Sequence, residues 1–446
     1  MKDMEFKVSS IVTVSRSKEM IKYLILLLIY RIGIDWAYQE VISKLFAYNG
    51  FTNNYSGLYA LISWIVLLLF SFLSFEQYYN EQDLISNEIL FVLFLMSFVP
   101  FTTMICFGAV DNNFIICNVL FWLLLFIIPK FRITLKSHWN FRLTNQKTLG
   151  DFQIKIIAII FSLIVLYISF RYTHFRINIS ILNVYDLRSE AATYNLPTLL
   201  TYLFSWTRSV NSILIAYFMR KKKWGWALAT IIIQILNFSI DGLKSTLFLL
   251  LFAVAINMLP IMSNRKLNRF ALFGFSGISI ISPIIYRLFN SILPISLFTR
   301  RMLLVPVKIS SNYFDFFTNN TPDYFRQSFL RLFGFESPYP SISYYISEVY
   351  EKNTSNSNNG LIADAMTNLG YIGIIIFPIV IFIILKILDK SAKGLDSRIY
   401  LTVALYTALV LTNSFLFRVL FTHGLIIVII ILRFMDRSSN QTIESG

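Results

Sequence analysis

The sequence predicts an all-α integral membrane protein, a bundle of about twelve transmembrane helices with one large outer loop containing short interfacial helices. Three observations carry that reading. Of the 446 residues, 56% are apolar and only 14% are charged, against about 25% charged in an average soluble domain. Charge-free runs recur along the chain, at Ser56–Phe75, Ile89–Val110, Asn112–Pro129, Ile156–Phe170, Trp224–Ile240, Ser245–Asn264, Ala365–Leu385 and Tyr400–Phe417, and most reach the roughly 17–25 residues that cross a bilayer as helix. None shows the alternation over about ten residues expected of a barrel strand, and only helices or closed barrels satisfy a backbone in lipid.

Lys18 and Lys22 introduce the first apolar segment, 20–37, with no small-residue cleavage site after it; it reads as an uncleaved first helix. The further spans are expected at 57–75, 88–107, 112–129, 154–170, 198–219, 224–240, 244–261, 270–289, 361–387, 399–417 and 419–433. Alternating them from a cytoplasmic N-terminus puts Lys130–Lys155, "RKKK" at 220–223, "NRKLNR" at 264–269, Lys386–Arg398 and the C-terminal tail inside. Each is rich in Lys and Arg, as the positive-inside rule requires, so both termini are expected to be cytoplasmic. Loop 76–87, "EQYYNEQDLISN", has no cation and departs from the rule. The net charge of +15 is therefore assigned to orientation in the lipid bilayer, not to nucleic acid, for which no basic groove with interleaved aromatics is visible. Cys106 and Cys117 lie in apolar spans and read as small buried side chains, not as a disulfide.

The chain 1–446 reads as a single polytopic membrane domain with two long outer segments, 171–197 and 291–360. Helix hairpins usually take only about 2–8 residues, and loops this long usually carry function. Their cations are Arg171, Arg176, Arg188, Arg300, Arg301, Lys308, Arg326, Arg331 and Lys352, with Lys244 and Arg418 at other outer mouths. Long loops cross regardless of charge, so simple tolerance is one reading. The prevalence of arginine, whose planar fork grips phosphate at two points, points instead to an anionic ligand. Within the large loop, "PDYFRQSFLRLFG" (Pro322–Gly334) is expected to form a helix, with Phe325, Phe329 and Phe333 on one face.

Ionisable groups inside spans are functional candidates by default. Arg208 falls on one helical face with Thr201, Ser205 and Ser212, and either pairs with a carboxylate or meets ligand. Arg31 and Asp35 are four apart and are expected to pair. Gln234, Asn237, Asp241 and Lys244 are expected to form a cavity wall. In "NNGLIADAMTNLGYIG" (Asn358–Gly373), Asp364, Thr367, Asn368 and Tyr371 make one polar stripe. Ala363, Met366, Gly370 and Gly373 make an adjacent stripe suited to close helix approach. Asp364 is expected at the outer mouth, either paired with a loop arginine or accepting a proton from a sugar hydroxyl. His138, His174 and His423 are too dispersed for a local metal motif. No Asp-x-Asp pair, Gly-rich phosphate loop or nucleophile elbow is present. No metal and no cofactor are expected.

"NVYDLRSE" (Asn183–Glu190), "TRRMLLVP" (Thr299–Pro306), "NGLIADAMTNLGYIG" and, more faintly, "DGLKSTL" (Asp241–Leu247) together resemble the Wzy-type O-antigen and oligosaccharide repeat-unit polymerases of bacterial envelopes. No R-x10-G pattern begins at Arg188 or Arg301. The resemblance implies a metal-independent glycosyltransferase of the bacterial cytoplasmic (inner) membrane. It would act on an undecaprenyl-diphosphate-linked oligosaccharide, passing a growing glycan onto the nonreducing end of another lipid-linked unit, with a chain-length regulator and a repeat-unit flippase as partners. Arg188, Arg300, Arg301 and Lys244 would then hold the diphosphate and stabilise its developing charge. Asp364 first, and His423 second, would take the acceptor proton, although His423 also suits helix packing. Arg208, Asn368 and Tyr345 would line the substrate cavity. Tyr345, with Tyr339, Tyr344 and Tyr350, would stack on sugar rings or pack the loop. An O-antigen ligase shares the same donor and is the nearer alternative. A flippase or secondary transporter would show two related halves and a midplane site, and no such repeat is visible.

Overall fold

The computed structural model describes residues 2–130, 150–180, 184–258, 264–352 and 356–437. Most of the Lys130–Lys155 segment, with His138, and the end of the C-terminal tail lie outside the described residues. The helices are α1 (Lys2–Ala37), α2 (Gly57–Tyr79), α3 (Ile85–Cys106), α4 (Asn112–Ile127), α5 (Asp151–Ile168), α6 (Val184–Ala192), α7 (Thr198–Arg220) and α8 (Trp224–Asp241). They continue as α9 (Lys244–Met258), α10 (Asn264–Phe289), α11 (Val305–Asn319), α12 (Ile342–Glu351), α13 (Ile362–Leu369), α14 (Tyr371–Ala392), α15 (Ser397–Leu411) and α16 (Leu425–Phe434). No strand occurs among the described residues. Seven helices are long and apolar enough to cross a membrane: α2, α3, the helices starting at Asn112, Asp151 and Arg265, α8 and α14. The apolar helices α9, α15 and α16 are shorter. The protein is thus a multi-pass helical membrane protein.

Leucine, isoleucine and phenylalanine on the outer faces of α2, α5 and α14 stay exposed, as at Leu69, Leu163 and Ile375, because lipid satisfies them as well as protein does. α3 is the opposite case: it is enclosed almost throughout and packs against α2, α15 and α14. Many buried polar side chains find partners within the bundle. The wholly buried Arg31 donates to Asp35 at 2.7 Å and to Thr102 at 2.7 Å, as the spacing predicts. Cys106 and Cys117 are free thiols.

The segments expected on the cytoplasmic side gather at one end of the bundle. There Arg16 meets Glu76, Arg269 meets Glu19 at 2.6 Å, Arg220 meets Asp396 at 2.7 Å, and Asp389 accepts from the Ser86 backbone at 2.9 Å. Loop 76–87, despite its lack of cations, docks among these basic segments.

Three expectations are corrected. The span beginning near Leu361 is not one helix: Gly370, at φ +58, breaks it into the short α13 and the membrane-length α14. The small-residue stripe serves this fold-back, because a Cβ at Gly373 would lie 2.2 Å from the Ala365 carbonyl oxygen. Pro322–Gly334 is not an interfacial helix. Tyr324 and Phe325 take positive φ, and only Phe329–Phe333 forms a tight 3-10 turn. Asp323 dictates this: its backbone N–H donates to the Thr367 carbonyl, and its buried carboxylate accepts from Gln327 N–H and Ser337 Oγ. Finally, Gln234 and Asn237 are no cavity wall. Both are wholly buried, and they bond the Arg208 and Thr246 carbonyls and Thr207 of the neighbouring helices.

Candidate functional site

Ile295–Leu304 is wound as a π-helix that runs directly into α11, so "TRRMLLVP" is helical and not the start of a loop. Wide π turns concentrate at functional sites, and this one carries Arg300 and Arg301. Lys308 follows Arg301 by seven residues and so returns to the same face. The three cations line a cavity of about 140 Å3 with Asn49, Phe51 and Glu351, where one water needs only ~10–15 Å3. Arg300 lies over the Phe46 ring at 4.1 Å and donates to Ser296 Oγ at 3.1 Å, while its Nε is buried without a partner. None of the three forms an ion pair among the described residues. Burial, and Arg301 beside it, pull the Arg300 pKa below its ordinary value; burial does the same to Lys308, against the distant pull of Asp315. Both groups favour an arriving anion.

The second group centres on the turn after α15. "NNGLIAD" ties it down: Asn359 donates to the Pro306 carbonyl and Ser310 Oγ, both at 2.7 Å, and Asn358 accepts from Arg418 at 2.8 Å. A Cβ at Gly360 would lie 2.1 Å from the Leu411 carbonyl oxygen and 2.5 Å from that of Ser414; only glycine permits this backbone approach. Leu361 sits at φ 52, ψ −121, a sparsely populated region of the kind that clusters at functional sites.

Asp364 is not at an open mouth. It is 2% exposed and pairs with no arginine among the described residues; Asn368 Nδ2 donates to Oδ1 at 2.7 Å and the Leu416 backbone N–H to Oδ2 at 2.5 Å. Burial pushes its pKa up to about 7, against these two bonds and the positive charge of Arg418. Its carboxylate pins the turn. Asn368 completes the clamp by accepting from the Phe325 N–H at 3.0 Å, which explains its place on the same stripe; it lines no cavity.

His423 lies at the far end of that turn. Its Nε2 bonds Ser414 Oγ and its Nδ1 bonds the Tyr406 hydroxyl, each at 3.1 Å. In a neutral imidazole one nitrogen donates and the other accepts, so the three side chains form a continuous proton path. A pocket of about 10 Å3, the space of one water, adjoins Ser209, Tyr406 and His423. Tyr406 in turn neighbours Arg208, and Arg208 is paired with Asp241 at 3.0 Å. The Asp241 turn receives α6: at Gly242 a Cβ would lie 2.9 Å from Leu187 Cβ. Arg188, exposed on α6, falls within Coulomb range of Asp241, and Lys244 follows on α9.

The candidates therefore fall into three places. Arg300 and Arg301 share a cavity, now with Lys308. Asp364, Asn368 and His423 share the turn 412–424. Arg208 pairs with Asp241, Arg188 lies within Coulomb range of it, and Lys244 follows three residues on in the chain. Tyr345 stands apart, packed against Phe316 at 5.6 Å and Tyr339 at 6.3 Å. The first two places are joined by α11, which carries Lys308 and, five residues on, Tyr313 against the Phe415 ring at 6.0 Å; five residues of helix span roughly 7.5 Å. Sequence reasoning named Lys308 among the outer cations without assigning it to the diphosphate site, and missed Ser414 and Tyr406. Only Lys308 left a usable signal, its seven-residue spacing from Arg301. Among the described residues no group of His, Cys, Asp and Glu could hold a metal ion.

Fold and site define a class, a multi-pass helical membrane protein with a cation-lined cavity beside a buried hydrogen-bonded turn. No family model, curated protein or solved structure matches the chain.

Proposed function

We propose that this protein polymerises lipid-linked oligosaccharide repeat units, transferring a growing glycan from undecaprenyl diphosphate to the nonreducing end of another lipid-linked unit. The cluster of Arg300, Arg301 and Lys308 around one cavity, none of them in an ion pair among the described residues, carries the reading. In the reaction the acceptor hydroxyl oxygen bonds to the donor's anomeric carbon, the bond from that carbon to the diphosphate breaks, and undecaprenyl diphosphate leaves with the electron pair. Fixed cations stabilise that departing charge without reorganising. The acceptor proton passes to His423 through Ser414, the partly exposed end of the path. Asp364 acts by positioning the turn that carries both. Arg188 and Lys244, held beside the neutralised Arg208–Asp241 pair, supply a second cationic flank. The cavity faces the outer surface of the bacterial cytoplasmic membrane, with both termini cytoplasmic.

The test is complementation of a deletion strain with the Arg301→Ala variant. The expected product is a single repeat unit attached to its final acceptor, because attachment proceeds while polymerisation stops. Complete loss of attached units with accumulation of long lipid-linked chains would identify a ligase instead. Normal chain length would remove Arg301 from the site.

A further inference from the structure

The cation-free loop 76–87 leads to a second unanswered group, at the opposite end of the bundle from the cavity. Three helix ends meet there: the last turn of α2, the first turn of α3 and the second turn of α10. Glu88 is wholly buried in α3 and forms no ion pair among the described residues. Both donors that reach it, Asn80 Nδ2 at 2.7 Å and Asn268 Nδ2 at 3.2 Å, bond the same oxygen, Oε1. Oε2 has no partner. Asn268 spends its amide N–H groups on Glu88 and on the carbonyls of Gln77 and Tyr78, at 3.0 and 3.2 Å. Its own Oδ1 is left unbonded, as is Oε1 of the buried Gln77.

We propose that Glu88, Asn268 and Gln77 hold a monovalent alkali cation. An uncompensated buried carboxylate works against folding, and each orphaned acceptor adds to that cost. All three unmatched atoms are oxygens, and the amide donors of Asn80 and Asn268 are already committed. A water has two hydrogens for three acceptors and leaves the charge unanswered. A proton on Oε2 neutralises Glu88 but leaves both amide oxygens bare. A cation answers all of them, and the carbonyls ending α2 add the negative end of a helix dipole. Neutral oxygens with a single carboxylate suit a hard ion of one charge; divalent ions recruit more carboxylates, and soft metals need nitrogen or sulfur. The nearby cations are occupied elsewhere: Arg265 donates to the Tyr79 carbonyl at 3.1 Å and stacks on its ring, and Arg269 pairs with Glu19. The bound ion would lock α2, α3 and α10 together.

The test is thermal unfolding of the purified full-length protein in detergent, in sodium, potassium or choline chloride at equal ionic strength. Wild type is expected to unfold at a higher midpoint in sodium or potassium than in choline, climbing with each tenfold rise in the alkali ion. Glu88→Gln, which keeps the shape and removes the charge, should show at least tenfold weaker apparent affinity for the ion. Should that variant fail to fold, Gln77→Leu is expected to weaken the ion dependence in the same direction. A wild-type midpoint equal in all three salts would overturn the proposal, as would an undiminished ion dependence in the variants. A midpoint that responds to pH but to none of the ions would assign Oε2 a proton.

Discussion

Replacing Asp364 by asparagine should change how stability depends on pH, and the size of the change follows from its surroundings. Burial lifts this carboxyl from 3.8 to about 7, a shift of about three units, or about 4 kcal/mol at the usual conversion. A carboxyl with a raised pKa holds its proton in the folded state where the unfolded chain has released it. Its neutral form is the favoured one, so stability is highest below about pH 4, declines as pH rises toward 7, and levels off above. Asparagine stays neutral throughout and is spared that decline. It has a cost of its own. Two donors, Asn368 Nδ2 and the Leu416 N–H, converge on the carboxylate, and an amide offers one oxygen to them while its NH2 opposes the other. An unmet buried donor costs about 1–3 kcal/mol. Asp364→Asn should therefore be about 1–3 kcal/mol more stable than wild type at pH 8 and about 0–2 kcal/mol less stable near pH 4.5, where wild type has lost only about 1 kcal/mol. Thermal unfolding of both proteins across that range reads the difference directly, because every other titrating group is common to the two. Curves that stay parallel from pH 4.5 to 8 would refute the claim that this carboxyl carries the burden of burial.

Gly360→Ala should destabilise the protein by more than the ~1–3 kcal/mol of ordinary overpacking, since the added carbon meets two backbone carbonyls that cannot rotate away. Gly57→Ala, with open space around it, should leave the unfolding midpoint unchanged or raised. Lys308→Met keeps the aliphatic stem and removes one charge from the cavity. Calorimetric titration with inorganic pyrophosphate should show binding weakened roughly ten- to hundredfold, the usual loss for one charge-assisted bond.

What the sequence made legible is what depends on composition and short spacing. Hydropathy alone separates this chain from soluble proteins, and the charge-free runs coincide with α2, α3, α4, α5, α8 and α14. Arg31 and Asp35 pair because i, i+4 geometry is local. Asp364 stood out because an acid beside an apolar run demands a reason. The failures arise where distant contacts override local preference. Phe325, Phe329 and Phe333 carry a helical period, yet Asp323 ties the segment to α13 and turns it back on itself. Gln234 and Asn237 share a polar face, which in a bundle signals equally a cavity or a helix contact; their partners lie on α7 and α9, out of reach of any local pattern. Ser414 and Tyr406 carry no motif at all, and become visible only when His423 is placed between them.

The case for a ligand at Arg300, Arg301 and Lys308 rests on contrast within the same molecule. Arg31 and Arg208 are buried and Arg220 half-buried, and each is matched to a carboxylate, Asp35, Asp241 and Asp396 respectively. A chain that balances those cations so consistently could have balanced the half-buried Arg300 and Lys308 as well, and withdrawing these two partly from water without an ion pair among the described residues works against folding. Stability therefore does not account for the cavity. The π-helical winding of 295–304 brings Arg300 and Arg301 to its wall, α11 adds Lys308, and the same helix runs on to the turn holding Ser414 and His423. Cations built to receive an anion and a hydrogen-bonded path suited to remove a proton thus lie along one rigid element. A rigid element fixes their separation, and fixed separation is what transfer from a charged leaving group to a hydroxyl requires.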